Sequence, residues 1–183
     1  MKKIFNQRNI ILTAIVVLAI LSRLIDHPAN FTPVFALALF CAVYFRDKTA
    51  ALIVPFTVMF VSDLFIGISS LNIAVYFTFG FSYLIGYLFL RKRLSVLNII
   101  LSSVAVSTLF FLTSNFYVWA FDPFRLYPFT LNGLVECYTM ALPFFRNSLL
   151  GDLFYSSVLF GVFALAEKYY LSSDKGYALK ENV

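Results

Sequence analysis

Two aspartates and two arginines set within or beside long apolar runs are the residues of this chain best suited to chemistry: Asp63, Asp152, Arg23 and Arg146. An ionisable group in a membrane segment is costly unless it is paired or faces water, so each is either a functional group or half of an ion pair. Paired aspartates in membrane helices can cleave peptide bonds by general acid–base catalysis. The local patterns do not fit that reaction. Leu150-Gly151-Asp152 lacks the leading glycine of a Gly-x-Gly-Asp pattern, and Ser62 stands where a Tyr-Asp motif needs its tyrosine. The single histidine, His27, has no partner spacing that suits a nucleophilic dyad, and with Asp26 and a cysteine it lacks the ligand spacing of a metal site. No catalysis, metal or cofactor is expected.

Binding is the better use of these groups, because uncharged donors and acceptors accompany them at one predicted depth. Counted at about 1.5 Å of rise per residue, Arg23, Asp63, Asn72, Tyr76, Asn115 and Asp152 all fall near the same end of their segments. His27 and Asn30 approach from an irregular stretch, and Trp119, Glu136, Cys137, Arg146 and Asn147 from a long connection. Two readings of this level stand side by side. In one, Arg23 and Arg146 neutralise Asp63 and Asp152 and the network only holds the bundle together. In the other, the groups line a polar pocket for a small molecule, and Asp63→Asn or Asp152→Asn weakens binding with little loss of folded protein. An ion- or proton-coupled carrier that uses the two aspartates is a third expectation.

The elements that must position these residues are membrane helices. The chain has 61% hydrophobic and 13% charged residues with a mean hydropathy of +0.87, far from the composition of a soluble domain. Six apolar segments are predicted at about 10–25, 33–45, 49–67, 71–90, 94–118 and 148–166. Most of the basic residues occupy alternate connections: Lys2, Lys3 and Arg8; Arg46 and Lys48; Arg91, Lys92 and Arg93; Lys168, Lys175 and Lys180. Arg23, Arg125 and Arg146 lie on the other side. The positive-inside rule then places both termini in the cytoplasm of a bacterial inner membrane, with six crossings. The net charge of +5 is a topology signal and implies no nucleic-acid partner. The first segment lacks a small-x-small cleavage site, which favours retention over removal as a signal peptide. The connections leave room for one polytopic domain over 1–183, with a cytoplasmic tail from 167. Cys41 and Cys137 give no disulfide framework and are expected to be buried.

Two stretches depart from a plain bundle. The second segment is too short to cross about 30 Å of hydrocarbon, and Asp26–Pro33 before it carries Pro28 and Pro33, which disfavour helix. Irregular backbone at that depth is tolerated against protein or a water-filled cavity, although a surface loop with a tilted short helix is the competing reading. The outer stretch 119–147 is rich in aromatics and turn formers, including Asp122-Pro123 and Tyr127-Pro128, with a short helix expected over Leu134–Phe144. It is read as a cap over the outer end of the bundle. Small residues four apart (Ala38 and Ala42, Ser82 and Gly86, Ser157 and Gly161) point to close helix packing or to a partner membrane protein.

Several blocks carry a resemblance. Asn30-Phe31-Thr32-Pro33-Val34 followed by Ala36-Leu37-Ala38-Leu39-Phe40 resembles the opening of a bacterial membrane-protein family known only as a domain of unknown function. Ser62-Asp63-Leu64 with Gly67, Asn115-Phe116 with Trp119, Tyr127-Pro128 with Gly133, Cys137-Tyr138 with Pro143-Phe144, and Asn147 with Gly151-Asp152-Leu153 extend the likeness over about Arg23 to Gly161. In architecture the chain is also similar to the substrate-binding S components of energy-coupling-factor (ECF) vitamin transporters. That likeness implies an outward pocket capped by loops, a vitamin-like ligand, and docking on an energising membrane module. The first helix departs from that family in having no Ala-x-x-x-Ala motif, since Ala14 and Ala19 are five apart. Uptake of a small polar molecule is the function these residues support. A membrane accessory or assembly protein with a structural polar cluster is the alternative.

Overall fold

The computed structural model describes residues 2–69, 71–121 and 125–171, and these are all-helical. Helix α1 spans Lys2–Leu21 and ends in a 3-10 turn, Ser22–Leu24; α2 spans Val34–Tyr44, α3 Lys48–Ile66, α4 Asn72–Leu88 and α5 Val96–Phe121. A short α6, Leu131–Met140, is separated from α7, Leu142–Ala166, by Ala141 alone, and a π turn follows over Glu167–Leu171. The Asp122-Pro123 turn expected from the sequence and the tail beyond residue 171, with Lys175 and Lys180, lie outside the described residues.

Among the described residues, four helices are long and apolar enough to cross a membrane: Lys48–Ile66, Asn72–Lys92, Val96–Phe121 and Leu142–Tyr169. Their outward faces leave large hydrophobics such as Phe60, Phe65, Phe77, Leu97, Leu101, Phe154 and Leu165 uncovered. Water would not tolerate so large an apolar surface, whereas lipid acyl chains cover it at no cost, as expected of a membrane protein. The apolar part of α1, Ile10–Leu24, and the whole of α2 are shorter.

Helix α2 is the centre of the molecule. Ten of its 11 residues are buried, and it packs against α3, α4, α5 and α7. A helix apolar all round is buried in protein or in lipid, and here it is protein that encloses it. That enclosure is why so short a helix is stable here: at about 1.5 Å per residue it rises only about 16 Å, and the preceding irregular stretch continues its path. The stretch is fixed by α7. Asn147 Nδ2 donates to the Ala29 carbonyl (3.1 Å), and the Phe31 ring packs against Phe154 and Tyr155 at 5.8 and 5.6 Å between centroids. A Cβ at Gly151 would stand 3.1 Å from Phe31 Cα, so the small residue permits this approach. Asn30 supports the bend with φ +66°, a left-handed conformation that asparagine tolerates better than most residues.

Helix limits differ from the sequence reading where capping chemistry decides them. α1 reaches back to Lys2 because no proline or glycine interrupts its polar flank. α6 begins at Leu131, not Leu134, because the Thr130 side chain caps it by accepting from the Gly133 amide. α7 begins at Leu142, not Ser148, with Pro143 in its first turn, where proline's missing N–H is not needed. Arg146 and Asn147 are therefore residues of α7 and not of a connecting cap.

Two of the basic connections, Arg46–Lys48 and Arg91–Arg93, meet at one end of the bundle. Lys48 Nζ and the Arg91 guanidinium both lie over the Tyr87 ring, at 5.0 and 5.6 Å from its centroid. The small-residue pairs on α2 and α4 are consumed internally, since a Cβ at Gly86 would stand 2.7 Å from Ala42 Cβ. Ser157 is exposed, and a Cβ at Gly161 would meet nothing within 4 Å.

Candidate functional site

At the opposite end, the 3-10 turn after α1 sets Arg23 against the last turns of α3. Arg23 Nη2 donates to Asp63 Oδ1 at 2.7 Å, and Nη1 donates to the Met59 carbonyl at 3.3 Å and to Ser62 Oγ. Asp63 Oδ2 accepts from Asn72 Nδ2 and from Tyr76 Oη, each at 2.9 Å. Asn72 is itself held, its Oδ1 accepting from the Ser69 amide and hydroxyl at 2.9 and 3.1 Å. The side chains of Arg23 and Asp63 are 12% and 3% exposed, so the pair is largely out of solvent. Asp63 is thus held by three donors, one from the 3-10 turn after α1 and two from α4. Arg23 Nε remains buried without a partner.

Asp152 sits apart from this network. Its Oδ2 accepts from Ser107 Oγ at 2.5 Å, and the Ala36 backbone N–H also donates to its carboxylate. Ala36 lies in the first turn of α2, whose N-cap Pro33 provides no side-chain cap. Asp152 thus caps α2 from another helix, satisfying a first-turn amide that the helix itself leaves without a partner. One turn further along the same seam, the hydroxyls of Ser103 and Ser156 meet at 2.8 Å. The expected Arg146–Asp152 pair does not form, because Arg146 is on the exposed face of α7 while Asp152 is 2% exposed.

Between the Arg23–Asp63 network and α5 and α7 lies a cavity of about 460 Å³, within the size range of small-molecule sites. Of the expected site residues, Arg23, Asn30, Asp63, Asn72 and Asn115 line it. Tyr76 contacts the site through Asp63 alone, and Asn147 through the Ala29 carbonyl. His27, Trp119, Glu136, Cys137, Arg146 and Asp152 are not among the lining residues. Glu136 and Arg146 are exposed, and His27 Nε2 is buried without a partner.

Trp119 and Cys137 serve to dock α6 on α5. Trp119 Nε1 donates to the Pro128 carbonyl at 3.1 Å with its ring stacked 4.4 Å from Phe129, and Cys137 Sγ donates to the Asn115 carbonyl at 3.4 Å. Tyr138 Oη donates to the Leu112 carbonyl at 2.7 Å. Burial pushes the Cys137 thiol above its ordinary pKa, against a smaller opposing effect of the Trp119 backbone. The cap therefore lies against α5, and Ala141, Phe144 and Phe145 at the start of α7 are what it brings to the cavity wall.

The wall the sequence reading missed is aromatic and hydroxylic. Phe110, Phe111, Ser114, Asn115 and Val118 form one stripe of α5, and Ala141, Phe144, Phe145 and Ser148 one stripe of α7. Their spacings of three, four and seven residues are those of a single helix face, a signal open to anyone who extends the period outward from Asn115.

The chain belongs to a family of unknown function, DUF6580, whose profile matches residues 3–175. No curated protein and no solved structure matches it.

Proposed function

We propose that this member of the DUF6580 family binds a small polar molecule in the cavity between α3, α4, α5 and α7 and serves its uptake across a bacterial inner membrane, in the manner of an S component. The observation that supports this reading is the cavity itself: about 460 Å³, lined by a few polar groups among phenylalanines and aliphatic side chains. A largely apolar concavity with a few placed polar groups is the usual form of a ligand site. Both termini lie in the cytoplasm on this reading, so that the cavity opens outward.

Mass spectrometry of small molecules extracted from gently purified protein tests it. A compound retained by the wild type and lost from Ser148→Phe, which fills the cavity from α7, is the expected result. Repeated absence of any retained compound sinks the reading.

One observation favours a second reading, an accessory or assembly protein whose polar cluster is structural: both oxygens of Asp63 are already engaged by donors of the protein itself. That reading expects a co-purifying membrane protein and an empty cavity.

A further inference from the structure

The partner count inside the cavity narrows the chemistry of what it holds, on the premise that the cavity is a ligand site. Among the described residues that line it, the charged ones are Arg23 and Asp63, and they neutralise one another at 2.7 Å. Asp63 Oδ1 is taken by Arg23, and Oδ2 by both Asn72 and Tyr76. Arg23 Nη1 and Nη2 are likewise engaged, and its Nε is buried. Asn72 spends its amide on Asp63 and its carbonyl on Ser69. The charged end of the cavity is therefore electrically balanced, and the Arg23 donor left without a partner, Nε, is buried away from the cavity space.

Neutral groups are left to meet a ligand, among them three side chains. Asn115 donates its amide to the Phe111 carbonyl at 2.7 Å, which leaves its side-chain carbonyl oxygen free as an acceptor. Ser148 and Asn30 line the cavity with side chains that make no hydrogen bond within the described residues. Beside Asn115 and Ser148, on the same faces of α5 and α7, stand Phe110, Phe111, Phe144 and Phe145. A ligand ion entering here would lose its hydration and find no counter-charge, a penalty far above that of a neutral polar group, which these donors and acceptors can compensate. Ring faces suit a flat apolar or aromatic body.

We propose that the cavity selects an uncharged ligand with a flat, ring-like body and a hydrogen-bonding edge, the edge read by Asn30, Asn115 and Ser148 and the ring by the phenylalanine wall. The Arg23–Asp63 pair is a wall of the site and not its ligand-recognising charge.

Three probes that share one bicyclic ring test this: naphthamide, which is neutral, naphthoate, an anion, and naphthylmethylammonium, a cation. Their affinities are measured by calorimetry on the full chain purified in mild detergent. Naphthamide is expected to bind at least about tenfold more tightly than either ion, with its binding lost in Ser148→Phe and in Ser114→Phe. The second variant stands in should the first not purify as a folded protein. An ion binding as tightly as naphthamide overturns the proposal, and naphthoate binding that Arg23→Gln abolishes would show the pair opening to ligand. Binding that neither cavity-filling variant removes overturns it too, as does no binding by any probe. In those cases the cavity reading is judged on its own, by whether wild-type protein yields an extracted compound.

Discussion

Asp63 shows how one side chain can be at once the most suggestive residue of a sequence and a part of its scaffold. A buried ion pair contributes little when whole, but removal of one member strands the other. Asp63→Ala leaves the Arg23 guanidinium, the Asn72 amide and the Tyr76 hydroxyl without their common acceptor. The expected loss is about 3–5 kcal/mol, read as a fall in melting temperature in detergent, and the double change Arg23→Met with Asp63→Leu should restore most of it. A double variant no more stable than Asp63→Ala would show that the pair is not what holds the two segments together. Asp63→Asn keeps one carbonyl acceptor for these donors and is expected to cost less than Asp63→Ala. Cys137 carries a separate prediction. Its thiol is buried, and burial raises its pKa, so the reactive thiolate is scarce at neutral pH. Alkylation by N-ethylmaleimide should run at least about tenfold slower than that of a free thiol and should accelerate as pH rises; fast labelling at neutral pH would mean that α6 undocks from α5. Arg23, Asn30, Asp63, Asn72 and Asn115 were legible because a polar residue in an apolar run stands out. Ser148 and the phenylalanines were not, because each is unremarkable in a membrane helix and only the shared cavity distinguishes it.

At the scale of elements, the structure is organised by what α2 needs. It is enclosed by four helices, and two devices hold it there: a trans cap at its start and a close approach at its end. Asp152→Ala removes the cap, leaving the Ala36 amide and the Ser107 hydroxyl unsatisfied, each at a cost of about 1–3 kcal/mol. Asp152→Asn keeps an acceptor and should recover much of that stability; equal loss in both variants would show that the charge at the helix terminus, and not the hydrogen bond, is what counts. At the other end, Gly86→Val forces a side chain to within 2.7 Å of Ala42 Cβ and 3.1 Å of the Leu39 carbonyl. Overpacking of this kind costs about 1–3 kcal/mol, whereas Gly161→Val, with nothing within 4 Å, should leave the melting temperature unchanged. The existence of every apolar helix could be read from the chain, since composition and length suffice. Their junctions could not. Thr130 as a cap and Pro143 as a first-turn residue are ordinary in isolation, and the Asp152 cap joins residues that are distant in sequence and adjacent only once α2, α5 and α7 have packed.

The whole molecule has two unlike ends, and the difference can be read along single helices. α4 begins at Asn72 in the cavity network and reaches Arg91 after about five turns, while α5 leaves the Arg91–Arg93 connection and arrives at Asn115 about 28 Å later. α3 runs from Lys48, beside Tyr87 and Arg91, to Asp63. The cation-rich end and the cavity end are thus separated by the length of the bundle, independently of any assumption about lipid. If the cations face the cytoplasm, as the positive-inside rule requires, the cavity must face outward, and the two statements stand or fall together. Single-cysteine reporters decide between them in intact cells treated with a membrane-impermeant maleimide. Arg125→Cys, exposed just after α5, should label without permeabilisation, and Lys92→Cys, exposed at the cationic end, should label only after it. The native thiols Cys41 and Cys137 are both buried, so the background is low, and a variant lacking them serves as the reference. The reverse pattern would turn the cavity toward the cytoplasm. A site there would draw on the internal pool of the cell, and capture for uptake would give way to export or to service for a cytoplasmic partner.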